Sequence, residues 1–215
     1  MPLLRKWDEE GGMWGIWHVT ESLEELRAGV SDMSTLAEYA CLKAPSRKLE
    51  FLAVRVLLYA MKGREIQVGH EPSGRPFLIG ESEHISISHT RNYVAVGLHK
   101  MAIPGIDIEQ YGDKVRRVRS RFVRKDELPE GEAMQEKEEL YQLLLHWSAK
   151  ETMFKVMNCT EVDFLRHLRI APFRLSSSGI LTGEAYYPEH EFCYRIHYLI
   201  HPDFVCTYCV GESVD

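Results

Sequence analysis

The chain has 215 residues, a charged fraction of 27% and a formal net charge of −6 at pH 7. This length allows one large domain or two small halves with a real core, and the acidic balance argues against a nucleic-acid-binding protein. Five cysteines at scattered spacings favour a reduced, cytoplasmic protein over a disulfide framework, and we expect most of them to be buried. No secretory signal and no membrane span are predicted, because the most apolar helical stretch is short and contains Arg55.

The first half of the chain carries strand and helix patterns in turn. Strand patterns, rich in β-branched and aromatic residues, cover 13–20, 65–70, 84–88 and 92–99. Helical patterns cover 21–28, 34–42 and 46–63. The last of these is the strongest, because Ser46 can cap it and Gly63 can end it. Residues 71–74 predict a turn.

The second half repeats this order of helices and then strands. Helical patterns cover 113–125 and 139–157, separated by an acidic loop over 126–139 that leads into the second helix. Strand-like runs follow at 169–176, 179–186, 193–200 and 204–210. The sequence therefore predicts an α+β protein of two similar halves, residues 1–102 and 103–215.

Two carboxylates stand one residue apart in the apolar run "GIDIE" at 105–109. Because side chains alternate along a strand, Asp107 and Glu109 face one way and the isoleucines face the other. Two like charges this close favour a cation between them, and Mg²⁺ is the natural candidate. On this motif alone, a solvated strand face is the stronger interpretation.

A second group of residues lies in the predicted helix 139–157. Trp147, Glu151 and Lys155 are four residues apart and so share one face of the helix. Glu151 could be a third carboxylate ligand or a base, and Lys155 could neutralise a phosphate. A plain surface Glu–Lys pair is the alternative.

Two shorter motifs precede these. "SISHT" at 86–90 can offer the Ser88 hydroxyl and the His89 imidazole to a phosphate, but it lacks the glycines of a hydrolase nucleophile elbow. Gly74-Arg75-Pro76 is a turn that carries one cation next to a strand. Each motif is weak by itself.

The order and spacing of these motifs resemble the 4′-phosphopantetheinyl transferases, in particular the long, Sfp-type branch. The family pattern is a Gly-Lys-Pro-like turn, a Ser-His motif, G-[IV]-D-[IV]-E and W-x-x-K-E-x-x-x-K. The chain has Gly74-Arg75-Pro76, Ser88-His89, "GIDIE" and "WSAKETMFK" at 147–155. Arg75 stands where lysine is common, which keeps the charge and alters the geometry.

The resemblance implies that the chain moves the phosphopantetheine arm of coenzyme A to a serine of a carrier protein, as a holo-acyl-carrier-protein synthase. The implied fold has two similar halves about a pseudo-twofold axis, each a small, mostly antiparallel sheet packed by a long helix. The implied magnesium ligands are Asp107, Glu109 and Glu151. The implied catalytic residues are Glu151 and Lys155. The implied coenzyme A contacts are Arg47, Arg75, Ser88, His89 and Lys155.

The segment 114–125 holds seven cations in twelve residues. It could be a solvated helix face or a nucleic-acid contact, but an acidic apo carrier protein is the partner that this charge favours. The resemblance further implies a monomer with its site between the halves. The native carrier, from fatty-acid, polyketide or peptide synthesis, stays open.

Two other functions compete with transfer. A non-catalytic homologue that binds coenzyme A or a carrier protein would not need all four of Asp107, Glu109, Glu151 and Lys155. A metal-dependent phosphoester hydrolase commonly recruits two metals through more Asp and His ligands, and no histidine cluster lies near the carboxylate motifs.

Overall fold

The structure is a computed structural model, and it describes residues 2–128, 135–157, 159, 161–187 and 190–213. The chain divides into two compact units, one formed mainly by residues up to Ile103 and the other by Pro104–Glu212. Each unit contains its own sheet and its own long helix. The predicted α+β class is therefore confirmed.

Unit 1 is built on a four-stranded antiparallel sheet of order β1-β2-β6-β5. Its strands are β1 (Leu3–Glu9), β2 (Gly12–His18), β5 (His84–Thr90) and β6 (Tyr93–His99). Helix α3 (Pro45–Lys62) packs on this sheet. Contact is close at Gly15, where an added Cβ would lie 2.7 Å from the sulfur of Met61.

Smaller elements complete unit 1. They are helices α1 (Leu23–Ala28) and α2 (Met33–Cys41), and the hairpin of β3 (Val68–His70) and β4 (Pro76–Leu78). The predicted turn at 71–74 forms in that hairpin, where the N–H of Gly74 donates to the carbonyl of Glu71 over 2.8 Å. Gly74 has a φ of 88°, which favours glycine.

The sequence missed two strands of unit 1, β1 and the three-residue β4, and misplaced one helix cap. β1 lies at the edge of its sheet and is largely exposed, so its residues lack the apolar alternation that marks a half-buried strand. Helix α3 begins after Ala44 with Pro45 in its first turn, so Ser46 is not its N-cap. Gly63 ends the helix in the left-handed conformation, as predicted.

Unit 2 is built on a five-stranded sheet of order β7-β11-β10-β9-β8. Its strands are β7 (Ala102–Gln110, which begins in unit 1), β8 (Leu168–Ile170), β9 (Ser178–Tyr187), β10 (His190–Ile200) and β11 (Phe204–Ser213). The pairs β8–β9, β9–β10 and β10–β11 are antiparallel. The long helix α5 (Glu136–Val156) packs on this sheet.

Small side chains and hydroxyl groups bring α5 close to its sheet. A Cβ at Gly105 in β7 would lie 2.6 Å from the carbonyl oxygen of Thr152, so that position has room only for hydrogen. The hydroxyls of Ser148 and Thr152 also reach that of Thr207 on β11, at 2.8 and 2.6 Å. The helix is thereby fixed against β7 and β11, both of which are buried along this contact.

Two predicted elements of unit 2 are shorter than the sequence pattern indicates. The basic helix is α4 (Lys114–Val118), followed by one 3-10 turn over Arg119–Arg121, although Val115 and Phe122 are buried as their spacing predicts. The strand predicted over 169–176 is shorter, as β8 ends at Ile170, and the N–H of Ala171 still donates to the carbonyl of Thr182 on β9 before Pro172. The predicted loop 126–139 partly falls on 129–134, outside the described residues.

All five cysteines are free. Cys206 and Cys209 are buried in β11, but Cys41 and Cys193 are exposed, so the expectation of mostly buried cysteines is wrong. Among the described residues, no helix has the length and apolar run needed to cross a membrane.

We predict that Gly105→Ala destabilises the protein by about 1–3 kcal/mol, because its Cβ would collide with the backbone oxygen of Thr152. Gly112→Ala is the matched control, since a Cβ there would meet no atom within 4 Å. The free energy of unfolding of Gly112→Ala should stay within about 0.5 kcal/mol of that of the wild type. Urea denaturation followed by circular dichroism measures both, and equal stabilities would contradict the prediction.

Candidate active site

The "GIDIE" strand is buried on both faces. Ile106 and Ile108 are 0% and 1% exposed, and Asp107 is only 4% exposed. Glu109 is half-buried. The alternative of a solvated strand face therefore does not apply to Asp107. Because Gly105 contacts α5, the alternation of the strand places Asp107 and Glu109 on that same side.

Two residues on the predicted face of helix α5 donate hydrogen bonds to these carboxylates. The indole N–H of Trp147 donates to Oε1 of Glu109 over 2.8 Å. The Nζ of Lys155 donates to Oδ1 of Asp107 over 2.9 Å and to the carbonyl of Ile106 over 2.7 Å. Trp147 and Lys155, which are related by this four-residue spacing, thus lie on the face of the helix that packs against β7.

The environment of these carboxyl groups raises their pKa values. Burial and the charges of Asp107 and Glu151 raise the pKa of Glu109 to about 7, against the opposing effects of the Trp147 hydrogen bond and Lys155. Burial and the charge of Asp107 raise the pKa of Glu151, while Lys155 opposes the shift. The three predicted carboxylates therefore lie close enough to repel one another.

Whether a magnesium ion suits this site can be judged from the donors. Among the described residues, no three His, Cys, Asp or Glu side chains converge as ligands of one ion. However, the donors are all carboxylate oxygens, and three carboxyl groups share one ammonium group, that of Lys155. A hard divalent cation fits this chemistry because it would relieve the repulsion that, together with burial, raises the pKa values of Glu109 and Glu151.

In unit 1, the structure brings Arg47 and His89 together. One guanidinium nitrogen of Arg47 lies 3.4 Å from Nε2 of His89, and both groups contact the carboxylate of Glu50, at 3.0 and 3.5 Å. Ser88 is buried in β5, next to His89 in sequence. Arg75 lies in the turn of the β3–β4 hairpin, where its backbone N–H contacts the Ser73 hydroxyl.

Sequence reasoning missed two residues of these surroundings. Glu50 follows Arg47 by three residues in a helix, and this i, i+3 spacing could have indicated the pair. Lys150 belongs to the W-x-x-K-E-x-x-x-K motif, but the sequence indicates no role for it. Its side chain is fully buried and pairs with the equally buried Glu127 at 2.7 Å. The two residues are far apart in sequence, so no helical or strand spacing could have indicated this contact.

The cations of segment 114–125 fall into two groups. Arg116, Arg119 and Arg124 pair with carboxylates of the chain, Arg116 with three of them. The exposed cations that form no ion pair with any described residue are Lys114, Arg117, Arg121 and Lys125. The positive charge of this second group is therefore not offset by an ion pair with any described residue, and it is available to attract an acidic partner.

We predict that Glu109→Gln removes a pH-dependent destabilisation of the metal-free protein. The pKa of Glu109 is about 7 when folded and about 4.5 when unfolded, so the unfolded chain releases the proton first and wild-type stability falls as pH rises between these values. At pH 8 the variant should be more stable by about 3 kcal/mol, the free energy that corresponds to these two pKa values, and at pH 4 the two proteins should be nearly equal.

Denaturant titrations in EDTA at pH 4, 6 and 8 measure this difference. Glu161→Gln, at an exposed position, is the control, and its difference from wild type should not change over this range. A Glu109→Gln difference that stayed constant with pH would contradict the prediction.

One comparison with known proteins gave a match. Residues 104–209 match the family model of the 4′-phosphopantetheinyl transferase superfamily. This match begins where unit 2 begins and includes Asp107, Glu109, Glu151 and Lys155. The comparison with curated proteins gave no match. By its residues 104–209, the chain belongs to the 4′-phosphopantetheinyl transferase superfamily and is a transferase.

Proposed function

We propose that the chain transfers the 4′-phosphopantetheine arm of coenzyme A to a serine of an apo carrier protein and releases adenosine 3′,5′-bisphosphate. The observation that carries this proposal is the meeting of Asp107 and Glu109 on β7 with Trp147, Glu151 and Lys155 on α5. Family membership supports transfer chemistry, and the acidic donors support a metal-dependent reaction at a diphosphate.

In this proposal Asp107, Glu109 and Glu151 hold magnesium. The bound ion would neutralise charge on the diphosphate of coenzyme A. Lys155 offers a second positive charge next to Asp107, suited to a diphosphate oxygen. Transfer of this kind depends mainly on positioning and on charge stabilisation, and these four residues supply both.

The reaction exchanges one phosphorus–oxygen bond for another. The serine oxygen bonds to the phosphorus that carries pantetheine, and the bond from that phosphorus to the bridging oxygen of the diphosphate breaks. The bridging oxygen leaves on adenosine 3′,5′-bisphosphate. Glu151 is the candidate base for the serine proton, directly or through water, because burial raises its pKa and so makes its carboxylate a stronger base than a free one. Lys155 would stabilise the leaving oxygen.

We assign the phosphates of the adenosine end to Arg47, Arg75, Ser88 and His89. The closeness of Arg47 and His89 supports a shared anion contact. Glu50 already offsets part of that positive charge, so we expect a phosphate to compete with its carboxylate. All four of these residues lie in unit 1.

The partner we propose is an acidic apo carrier protein that docks on the segment 114–125. Its exposed cations without a described ion pair, Arg117 and Arg121 among them, would steer an acidic partner by long-range attraction. We further propose that the chain acts as a monomer of the long, Sfp-type branch, because one chain contains two sheet-bearing units. Its five free cysteines support a cytoplasmic location.

The first test is transfer itself. We predict that the protein, incubated with coenzyme A, Mg²⁺ and an apo carrier, adds the mass of one phosphopantetheine to the carrier, read by mass spectrometry. Asp107→Ala should slow transfer by about 100-fold or more, because a buried metal ligand is lost. Asp8→Ala, at an exposed position in β1, is the matched control and should leave the rate unchanged.

No mass gain on fatty-acid, polyketide or peptide carriers would overturn the proposal. Binding of coenzyme A or of the carrier without transfer would instead favour the non-catalytic homologue. Full activity of Asp107→Ala would remove this residue from the metal site.

The second test concerns docking. We predict that Arg117→Glu with Arg121→Glu raises the KM for the carrier about tenfold and leaves the KM for coenzyme A unchanged, because the loss is one of attraction to an acidic surface. Arg27→Glu with Lys100→Glu changes the net charge equally at two other exposed positions and should alter neither constant. Unchanged carrier kinetics in the first variant would contradict docking at this segment.

A further inference from the structure

Trp147 makes a directed contact with a proposed metal ligand. Its indole N–H lies 2.8 Å from Oε1 of Glu109, a near-ideal hydrogen bond to a charged acceptor. A glutamate side chain has several rotatable bonds, and holding it in one conformation costs entropy. A donor that is already fixed removes part of that cost before any ligand arrives.

The indole ring is itself fixed by two aromatic side chains. Phe122 meets it edge-on with ring centroids 5.2 Å apart and planes at 74°, and Phe164 lies tilted at 5.7 Å. Phe122 is fully buried. Such pairs favour one ring orientation over others, so the N–H points in one direction.

A single ammonium group anchors the backbone of both phenylalanines. The Nζ of Lys150 donates to the carbonyls of Phe122 at 2.6 Å, Phe164 at 3.1 Å and Leu168 at 3.0 Å. It also pairs with Oε1 of Glu127 at 2.7 Å, and both side chains are 0% exposed. The ammonium group of Lys150 is therefore shielded from solvent, and it holds backbone segments of the fold in place.

Glu127 extends this anchor to the neighbouring strand. Its carboxylate accepts from the backbone N–H of Arg124 at 2.6 Å and from that of Ile170 at 2.7 Å. The two segments that contact Trp147, one with Phe122 and the other with Phe164, are thus connected to each other and to β8 through one buried ion pair. A buried pair with all its partners in place resists rearrangement.

We propose that Trp147 is a positioning residue, which orients Glu109 for a divalent cation, and that Lys150 keeps the aromatic cage of Phe122 and Phe164 in place around it. The inference rests on the proposed metal site, but it concerns binding of the ion and not transfer. It gives a role to two members of the W-x-x-K-E-x-x-x-K motif that make no contact with a reacting atom in the proposed function.

The test measures Mn²⁺ binding, with the free ion counted by electron paramagnetic resonance. Trp147→Phe keeps an aromatic ring and removes the N–H, and it should weaken Mn²⁺ binding about tenfold. Trp14→Phe is the matched control, because that buried indole donates to the carbonyl of Glu9 in unit 1. It removes the same donor and should leave Mn²⁺ binding unchanged.

A double-mutant cycle separates positioning from general damage. If Trp147 acts through Glu109, Trp147→Phe should have no further effect on Mn²⁺ binding in a Glu109→Ala background. An equal loss in both backgrounds, wild-type binding by Trp147→Phe, or no Mn²⁺ binding by the wild type would each overturn the proposal. Transfer by the wild type tests the proposed function separately, since it can succeed while this cycle fails.

Lys150→Met tests the anchor. At a temperature where the variant is folded by circular dichroism, it should weaken Mn²⁺ binding in the same direction as Trp147→Phe and should lower the unfolding midpoint. A lowered midpoint with unchanged Mn²⁺ binding would show that Lys150 stabilises the fold alone, and the anchoring role would be rejected.

Discussion

The closeness of one strand to one helix underlies the whole candidate site. At Gly105 the backbone of β7 comes so near to Thr152 of α5 that a Cβ would lie 2.6 Å from its carbonyl oxygen. Because side chains alternate along β7, the same approach turns Asp107 and Glu109 toward the helix. A bulkier residue at this position would push the carboxylates away from Lys155 and Trp147 and would loosen the group as a whole.

The second constraint is electrostatic. Burial and mutual repulsion raise the pKa values of Glu109 and Glu151, so the folded protein stores unfavourable charge at this point. Lys155 offsets part of it through Asp107. Such an arrangement costs stability and is tolerated where a ligand or a reaction uses it, which is the physical link between the architecture of unit 2 and the proposed chemistry.

The sequence predicted the placement of the candidate residues more closely than it predicted the scaffold. Residue spacing alone placed Trp147 and Lys155 on one helix face, and strand alternation placed Asp107 and Glu109 on one side. It missed β1, whose exposed edge lacks an apolar alternation, and it overextended the basic helix of 114–125. Contacts between distant segments, such as Lys150 with Glu127, depend on the tertiary fold and leave no periodic signal.

The Lys150–Glu127 pair also constrains how relatives can diverge. Losing either partner alone leaves an uncompensated charge in a fully buried place, which is among the costlier single changes a protein can undergo. Losing both also removes the acceptor for Ile170 and the donor to three carbonyls. Substitutions at positions 127 and 150 are therefore expected to occur together among homologues, as a covarying pair 23 residues apart in this numbering. Where only one of the two is replaced, we expect the surrounding loops to have a different structure.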